Sequence, residues 1–288
     1  MGKITRISLT LVVLVVAIIL GHWVWQHYLY SPWTRDGRVR AHVITIAPDV
    51  SGWVNDVEVT DNQSVKKGDV IFTIDDTRYK AAIAELKATL ESKKYSWDLA
   101  KHRYARRQTL TSGQLVSEET AESARINTEI ARSDYNLTKA QLATAQINLE
   151  RTKVLAPADG SIINLTLREG NYVSQGNSVL SLVKANSFYV TGYFEETKIP
   201  LIHLGQKARI TLMSGGKPLS GEVISIGDAI ADTNTTSNNQ LLPQVQQTFN
   251  WVRLAQRIPV DIKLDELPES VHLSAGMTVS IHLEESAE

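Results

Sequence analysis

One short pattern occurs twice in the chain, with a long helix-forming segment between the copies. The first copy reads Ala47-Pro48-Asp49-Val50-Ser51-Gly52, followed by Val54, Val57, Val59, Val65 and Gly68. The second reads Ala156-Pro157-Ala158-Asp159-Gly160, followed by Ile162, Leu165, Leu167, Val173 and Gly176. From Gly52 onward the two align at a constant offset of 108 with no gap. Period-two alternation predicts short strands at Val43–Ile46, Trp53–Val59 and Val70–Ile74, with turns at Asp61-Asn62 and Lys67-Gly68, and the pattern recurs over 154–183. A half of this size is too small to close a core. The expectation is therefore one compact β sandwich built from two halves, with Gly52, Gly68, Gly160 and Gly176 as its structural glycines.

The segment between the copies has a different texture. Thr77 to Leu110 and Glu118 to Arg151 contain neither Gly nor Pro. In the first arm Tyr79, Ile83, Leu86, Leu90, Trp97, Ala100 and Tyr104 follow 4-3 heptad spacing, broken only by Lys93. In the return arm Ile126, Ile130, Leu137, Ala140 and Ile147 keep that spacing, with Ser133 and Thr144 as weaker positions. Thr111-Ser112-Gly113 marks the turn, and Ser117 before Glu118 and Glu119 predicts a new N-cap with acidic residues in the first turn. One narrow stripe on each arm predicts an antiparallel coiled-coil hairpin that projects into solvent. Each arm is about 50 Å long at 1.5 Å per residue.

After Lys184 the chain alternates again. Phe188–Phe194, Ala208–Met213, Gly221–Ile226, Pro259–Leu264 and Met277–Leu283 predict strands of a small barrel, with a short helix over Glu195–His203. Residues 228–248 are polar and amide-rich and predict a long mobile loop.

The N-terminus reads as a membrane anchor. Ile7 to Leu20 is almost wholly apolar, and Gly21 to Trp25 extends it to about the length that crosses a bilayer as a helix. Lys3 and Arg6 precede the run; Trp23, Trp25, Tyr28, Tyr30 and Trp33 follow it as an interfacial aromatic belt. The positive flank predicts a cytoplasmic N-terminus with the bulk of the chain on the other side. A cleaved signal peptide is the rival reading, but large aromatics stand where small residues would mark the cleavage site. A buried core helix is disfavoured because no polar residue punctuates the run.

The expected fold class is thus α+β, mainly β, with a long antiparallel helical hairpin. The divisions are a cytoplasmic tip and transmembrane anchor over 1–30, a membrane-proximal linker or barrel strand over 31–42, and a first β half over 43–75. The hairpin follows over 76–151 with its tip near 110–118, then the second β half over 152–184 and the barrel with membrane-proximal region over 185–288.

Little in the chain points to chemistry. The formal charge of −1 argues against broad attraction of nucleic acid, and the absence of cysteine excludes disulfides and Cys-ligated metals. The seven histidines are scattered, and Met1, Met213 and Met277 form no soft-metal cluster. Asp75-Asp76 stands just before a helix, where carboxylates cap rather than catalyse. There is no Gly-x-Ser-x-Gly and no Gly-Lys-Ser/Thr phosphate loop. The expectation is no enzyme, no cofactor and no metal. Lys101, Arg103, Arg106 and Arg107 cluster near the hairpin tip, either as a solvated helix face or as a docking surface for an acidic partner.

Anchor, split β motif, hairpin and barrel together resemble the membrane fusion proteins of the HlyD/EmrA kind, the periplasmic adaptors of bacterial export pumps. The split halves resemble the biotinyl/lipoyl-carrier fold, with the hairpin replacing the modified-lysine turn. Lys153 lies nearby but is flanked by Thr152 and Val154 instead of a modification motif. The tip carries Arg106, Leu110 and Ser117 at the Arg-x3-Leu-x6-Ser spacing of adaptors that dock on TolC-like outer-membrane channels. The resemblance implies that Arg106 pairs with channel carboxylates or carbonyls and that Leu110 packs into an inter-helix groove. Ser117 bonds the channel or caps its own helix.

Within that family, Ser31–Asp36, Ala47–Gly52, Asn186–Val190, Glu195–Lys198 and Trp251–Arg257 resemble blocks of the aromatic carboxylic acid (p-hydroxybenzoic acid) efflux adaptors. The resemblance implies an inner-membrane transporter of the aromatic acid exporter type, a TolC-like channel, self-association into a ring of three or six, and no nucleic acid. The alternatives are an adaptor for a major-facilitator or ABC pump and, more remotely, a lipoyl or biotinyl carrier modified at Lys153. A membrane-anchored signalling coiled coil would need a cytoplasmic output domain, and about six residues precede the anchor. The topology has a direct test: an alkaline phosphatase fusion after Ala47 should be active, and an inactive fusion would overturn the orientation.

Overall fold

The computed structural model describes residues 2, 10–22, 31–112, 118–230, 235–237, 243–245, 255–265 and 271–284. They divide into two compact units, residues 43–185 and residues 1–42 with 186–288. The chain begins with helix α1 over residues 10–22 and strand β1, Trp33–Arg40, both in the second of these units. Among the described residues no helix is long and apolar enough to cross a membrane. The anchor expectation also draws on Lys3, Arg6, Trp23 and Trp25, which lie outside the described residues.

In the unit over 43–185, the first copy of the repeat supplies β2 (Val43–Ile46), β3 (Gly52–Val57), β4 (Ser64–Val65) and β5 (Val70–Ile74). Helices α2 (Thr77–Ser112) and α3 (Glu118–Glu150) follow. The second copy supplies β6 (Lys153–Leu155), β7 (Gly160–Ile163), β8 (Tyr172–Val173) and β9 (Leu180–Lys184). The strands form two four-stranded sheets, ordered β2-β9-β7-β4 and β6-β5-β3-β8.

Each sheet is made of strands from both copies, and the exchange is reciprocal. Gly52 pairs with Val173 in one sheet, and Val65 pairs with Gly160 in the other. The offset of 108 converts one pair into the other. The turn contacts obey the same symmetry. The amide of Gly68 donates to the Ala156 carbonyl and that of Gly176 to the Pro48 carbonyl, both at 2.9 Å. Gly68 and Gly176 have φ of 93° and 78°, a left-handed conformation that costs glycine little. Gly52 and Gly160 serve a different need, close approach. A Cβ at Gly52 would stand 2.5 Å from Ile74 Cγ2, and one at Gly160 would collide with the Val183 carbonyl.

Between the sheets Ile71, Phe72, Ile162 and Leu182 are fully buried, joined by Val54, Val65, Val173 and Leu180. Burying a side chain of this size contributes about 1.5–3 kcal/mol. Neither copy could supply this core alone.

The hairpin leaves this sandwich from a tied base. β5 and β6, the strands on either side of it, pair antiparallel, with Phe72 opposite Val154 and Thr73 opposite Lys153. The Ile74 amide donates to the Thr152 carbonyl at 2.8 Å. Tyr79 Oη donates to the Ser51 carbonyl at 2.7 Å, and Arg78 reaches the same carbonyl. Asp75 caps α2 by accepting from the Thr77 hydroxyl at 2.6 Å and the Thr77 amide at 2.9 Å. The hydroxyl bond, then the amide bond, holds the Asp75 carboxyl below its ordinary pKa.

The first arm packs as its spacing predicts: Tyr79, Ile83, Leu86, Leu90, Trp97, Ala100 and Tyr104 are all buried or half-buried. The return arm differs. Ile126, Ile130, Leu137 and Ile147 are exposed. The seam is instead made by Ala124, Thr128, Ala131, Tyr135, Thr138, Leu142 and Ala145. This arm therefore carries two stripes, not one. Small residues face α2, where they leave room for Trp97 to stack on Tyr135 at 5.5 Å, and the large aliphatics point away.

The second unit is a closed six-stranded barrel. Its strands are β1, β10 (Tyr189–Glu195), β11 (Lys207–Leu212), β12 (Leu219–Ile226), β15 (Arg257–Leu264) and β16 (Thr278–Leu283). Their order is β1-β10-β15-β12-β11-β16. The sixth strand comes from the N-terminal side of the sandwich, so the barrel is completed only when the chain returns. Val39, Val190, Phe194, Ile210, Val223, Val260, Ile262, Val279 and Ile281 fill its interior, leaving a packed core. The expected short helix is a 3-10 turn over Glu196–Leu201. Part of the expected loop over 228–248 is a two-stranded ribbon of β13 (Thr235–Ser237) and β14 (Pro243–Val245).

Gly160→Ala should lower the urea midpoint by an amount corresponding to about 1–3 kcal/mol, because the new methyl displaces the Val183 carbonyl. An unchanged midpoint would show that the close approach is not a constraint.

Candidate functional site

Two surfaces carry exposed, chemically distinctive groups. The first is the far end of the hairpin. Arg106 and Leu110 are exposed and one helical turn apart on α2, so they share a face. Ser117 lies outside the described residues. Near the tip Arg107 Nη1 donates to the Thr120 carbonyl at 3.4 Å, from one arm to the other. The rest of the basic cluster divides. Lys101 bonds Asp98 at 3.2 Å and lies 4.7 Å from the Trp97 ring centroid, whereas Arg103 is exposed beside Arg106. On α3, Arg125 forms a two-point bond to Glu122 and holds that carboxyl below its ordinary pKa. Further down the arms Lys93 pairs with Asp134 at 2.9 Å across the seam. That pair is half exposed and worth at most about 1 kcal/mol, so it sets register more than stability. It accounts for Lys93 interrupting the heptad pattern.

The second surface is a cleft of about 740 Å3 on the outer wall of the barrel. Strand β1 builds much of it. Its register against β16 shifts between Thr34 and Gly37, and this bulge turns Arg35 and Asp36 outward. Thr34 locks the bulge: its buried hydroxyl donates to the Tyr193 carbonyl at 2.8 Å and accepts from the Asp36 amide at 3.1 Å. Asp36 pairs with Arg257, and Arg38 donates to Thr278 Oγ1 at 2.7 Å.

Trp33 stacks on His282, its cross-strand partner, with ring centroids 6.0 Å apart. Lys198, on the 3-10 turn, places its ammonium 4.8 Å from the Trp33 ring centroid and 3.2 Å from the Trp33 carbonyl oxygen. The Arg35 guanidinium lies 5.4 Å from the same centroid. Cations at these distances are held by the ring quadrupole.

The tip is legible in the sequence and the cleft is not, although Ser31–Asp36, Glu195–Lys198 and Trp251–Arg257 stand out there as blocks. The fold brings residues from the first two blocks, and Arg257 from the third, to one place. The spacing of charges along each block contained the signal; which blocks meet did not. Lys153, the candidate for modification, is a strand residue opposite Thr73 and does not stand at a turn. Among the described residues no group of His, Cys, Asp and Glu side chains could hold a metal ion.

With this architecture in view, comparison with known proteins is informative. The family model for the barrel-sandwich hybrid domain of RND membrane fusion proteins matches residues 42–185. The model for the AAEA-like beta-barrel domain matches residues 187–284. The chain belongs to the membrane fusion protein family, the periplasmic adaptors of efflux systems. The chain is 43% identical over 273 residues to the uncharacterized protein YdhJ of Escherichia coli (strain K12), covering 94% of this chain and 95% of that one.

Among solved structures, the membrane fusion protein Spr0693 from Streptococcus pneumoniae R6 shares the fold at a TM-score of 0.66 and 17% identity, covering 89% of this chain and all 100% of that one. A MacA-MexA chimera containing the Pseudomonas aeruginosa MexA α-hairpin domain shares it at 0.62 and 22%, covering 89% and 82%.

The two stripes of the return arm can be separated by substitution. Leu137, 60% exposed, should tolerate Gln with a change within about 0.5 kcal/mol. Thr138, 4% exposed, should lose about 1–3 kcal/mol on replacement by Leu. Chemical denaturation followed by helical circular dichroism reads both, and the reverse order would show that the seam lies on the other face.

Proposed function

We propose that this chain is the adaptor of a tripartite efflux pump, linking an inner-membrane transporter to a TolC-like outer-membrane channel. The observation that carries the reading is a hairpin, inserted in the sandwich of a membrane fusion protein, whose distal end exposes Arg106 and Leu110 on one face. The apolar run from residue 7 to 25 anchors the chain in the inner membrane, with its N-terminus in the cytoplasm. In support, the aliphatic side chains of α1 from Leu11 to Leu20 are exposed, as they would be when covered by lipid. The barrel engages the transporter. The hairpin reaches the channel, where Arg106 bonds acceptor groups and Leu110 fills an apolar groove. Ser117 completes the contact or caps α3.

One hairpin cannot enclose a conduit, so several copies act together, as a ring of three or six. The exposed stripe of Ile126, Ile130, Leu137 and Ile147 supports self-association, since its heptad spacing is that of a second helix-packing face. The exported compounds are aromatic carboxylic acids, on the resemblance of the blocks noted above. The role is structural: transport energy comes from the partner transporter, and the chain is not an enzyme.

Charge reversal at Arg106 combined with Leu110→Ser should abolish export while leaving protein level and membrane location intact. Unchanged efflux of aromatic acids by cells carrying this variant would sink the docking role.

A further inference from the structure

We propose that the outer cleft of the barrel binds a small organic carboxylate with a flat apolar body. The proposal deepens the reading above. The aromatic character of the ligand rests on that reading, whereas its anionic character rests on the cleft alone.

Charge decides the sign of the ligand. The chain as a whole carries −1. The cleft is lined by Arg35, Arg38, Lys198 and Arg257 against Asp36 and Glu195, four cations to two carboxylates, an excess of +2. Asp36 is already taken by Arg257. Among the described residues no carboxylate forms an ion pair with Arg35, Arg38 or Lys198. Lys198 is the sharpest case, because it is 9% exposed. Its ammonium has only the Trp33 carbonyl and the Trp33 ring as described partners. Burying a cation without a counter-charge is costly, and a carbonyl dipole with a ring quadrupole offsets only part of that cost. An anion entering the cleft would complete the compensation.

Shape and lining decide the class. A volume of about 740 Å3 lies within the range of small-molecule sites. Tyr193, the indole of Trp33 and the methyl groups of Thr197 and Thr278 give the lining an apolar share beside its cations. A ligand matching both parts has one anionic head and one compact apolar body. The bulge is the positioning device: with Thr34 bonded to both Tyr193 and Asp36, the outward projection of Arg35 is built in before any ligand arrives.

The test uses the purified full-length chain in detergent micelles, titrated calorimetrically with sodium benzoate and with benzamide, its uncharged counterpart of the same shape. Benzoate should bind saturably and benzamide at least about tenfold more weakly, the factor expected when a charge-assisted hydrogen bond is lost. Lys198→Met, which keeps the buried stem, should weaken benzoate by about tenfold or more. Arg35→Gln, at an exposed position that leaves the barrel core untouched, should weaken it by a smaller but measurable factor. The proposal is overturned by absence of saturable benzoate binding, by equal binding of benzamide, or by affinity unchanged in both variants. Failure of the adaptor reading looks different. Benzoate binding without cellular efflux of aromatic acids keeps the cleft and removes the exporter role, and efflux without binding does the reverse.

Discussion

Strand exchange between the two copies of the repeat holds both ends of the hairpin, and the rest of that unit depends on it. Gly52 against Val173 and Gly160 against Val65 place strands of both copies in each sheet, so neither sheet exists until the chain has gone out along the hairpin and come back. Closing a flexible segment as long as residues 76–151 would cost roughly 4 kcal/mol from the length term alone. Two paired helices avoid most of that cost by returning the chain to its starting point. On the return arm the seam is made mainly of alanines and threonines, with Tyr135, Leu142 and one half-exposed ion pair. The buried core of this unit lies in the sandwich, around Ile71, Phe72, Ile162 and Leu182. The hairpin is therefore held chiefly from its base, where the β5–β6 pairing, Tyr79 and Arg78 fix its departure.

The repeat made this unit legible before any coordinate was known, because symmetry leaves a constant offset in the sequence. The positions that most constrain the backbone, Gly68 and Gly176 in left-handed turns, are also those that align. The return arm was not legible in the same way. Spacing reveals that a helix face is apolar, and it does not reveal which apolar face meets the partner. Ile126, Ile130, Leu137 and Ile147 have the stronger hydropathy, yet the smaller stripe through Ala124, Thr128 and Thr138 faces α2. The choice follows from complementarity with the bulky residues across the seam, which requires knowing the register of two helices at once.

The barrel shows a related limit. Five of its strands follow one another after residue 188, and their alternation can be read locally. The sixth, Trp33–Arg40, is separated from them by the entire sandwich and hairpin. Closure by this strand creates the cleft, since it brings Trp33, Arg35 and Arg38 beside Tyr193, Lys198 and Arg257. Net charge gave no hint of this. A total of −1 averages over surfaces on which charges are paired, such as Arg125 with Glu122, and over one on which cations outnumber carboxylates.

The helix arms are rich in charge, and part of it is paired within three or four residues, as in Asp98 with Lys101 and Asp76 with Lys80. Such pairs contribute little to stability and attract little from outside. Arg106 at the tip and Lys198 in the cleft form no ion pair with a carboxylate among the described residues, and each has an apolar group beside it, Leu110 in one case and Trp33 in the other. An anionic or acceptor-bearing partner with apolar surface suits both. The tip belongs to the unit over residues 43–185 and the cleft to the other, and each unit has its own core. A substitution at either surface therefore leaves the other's supporting core intact, so the two surfaces can change independently.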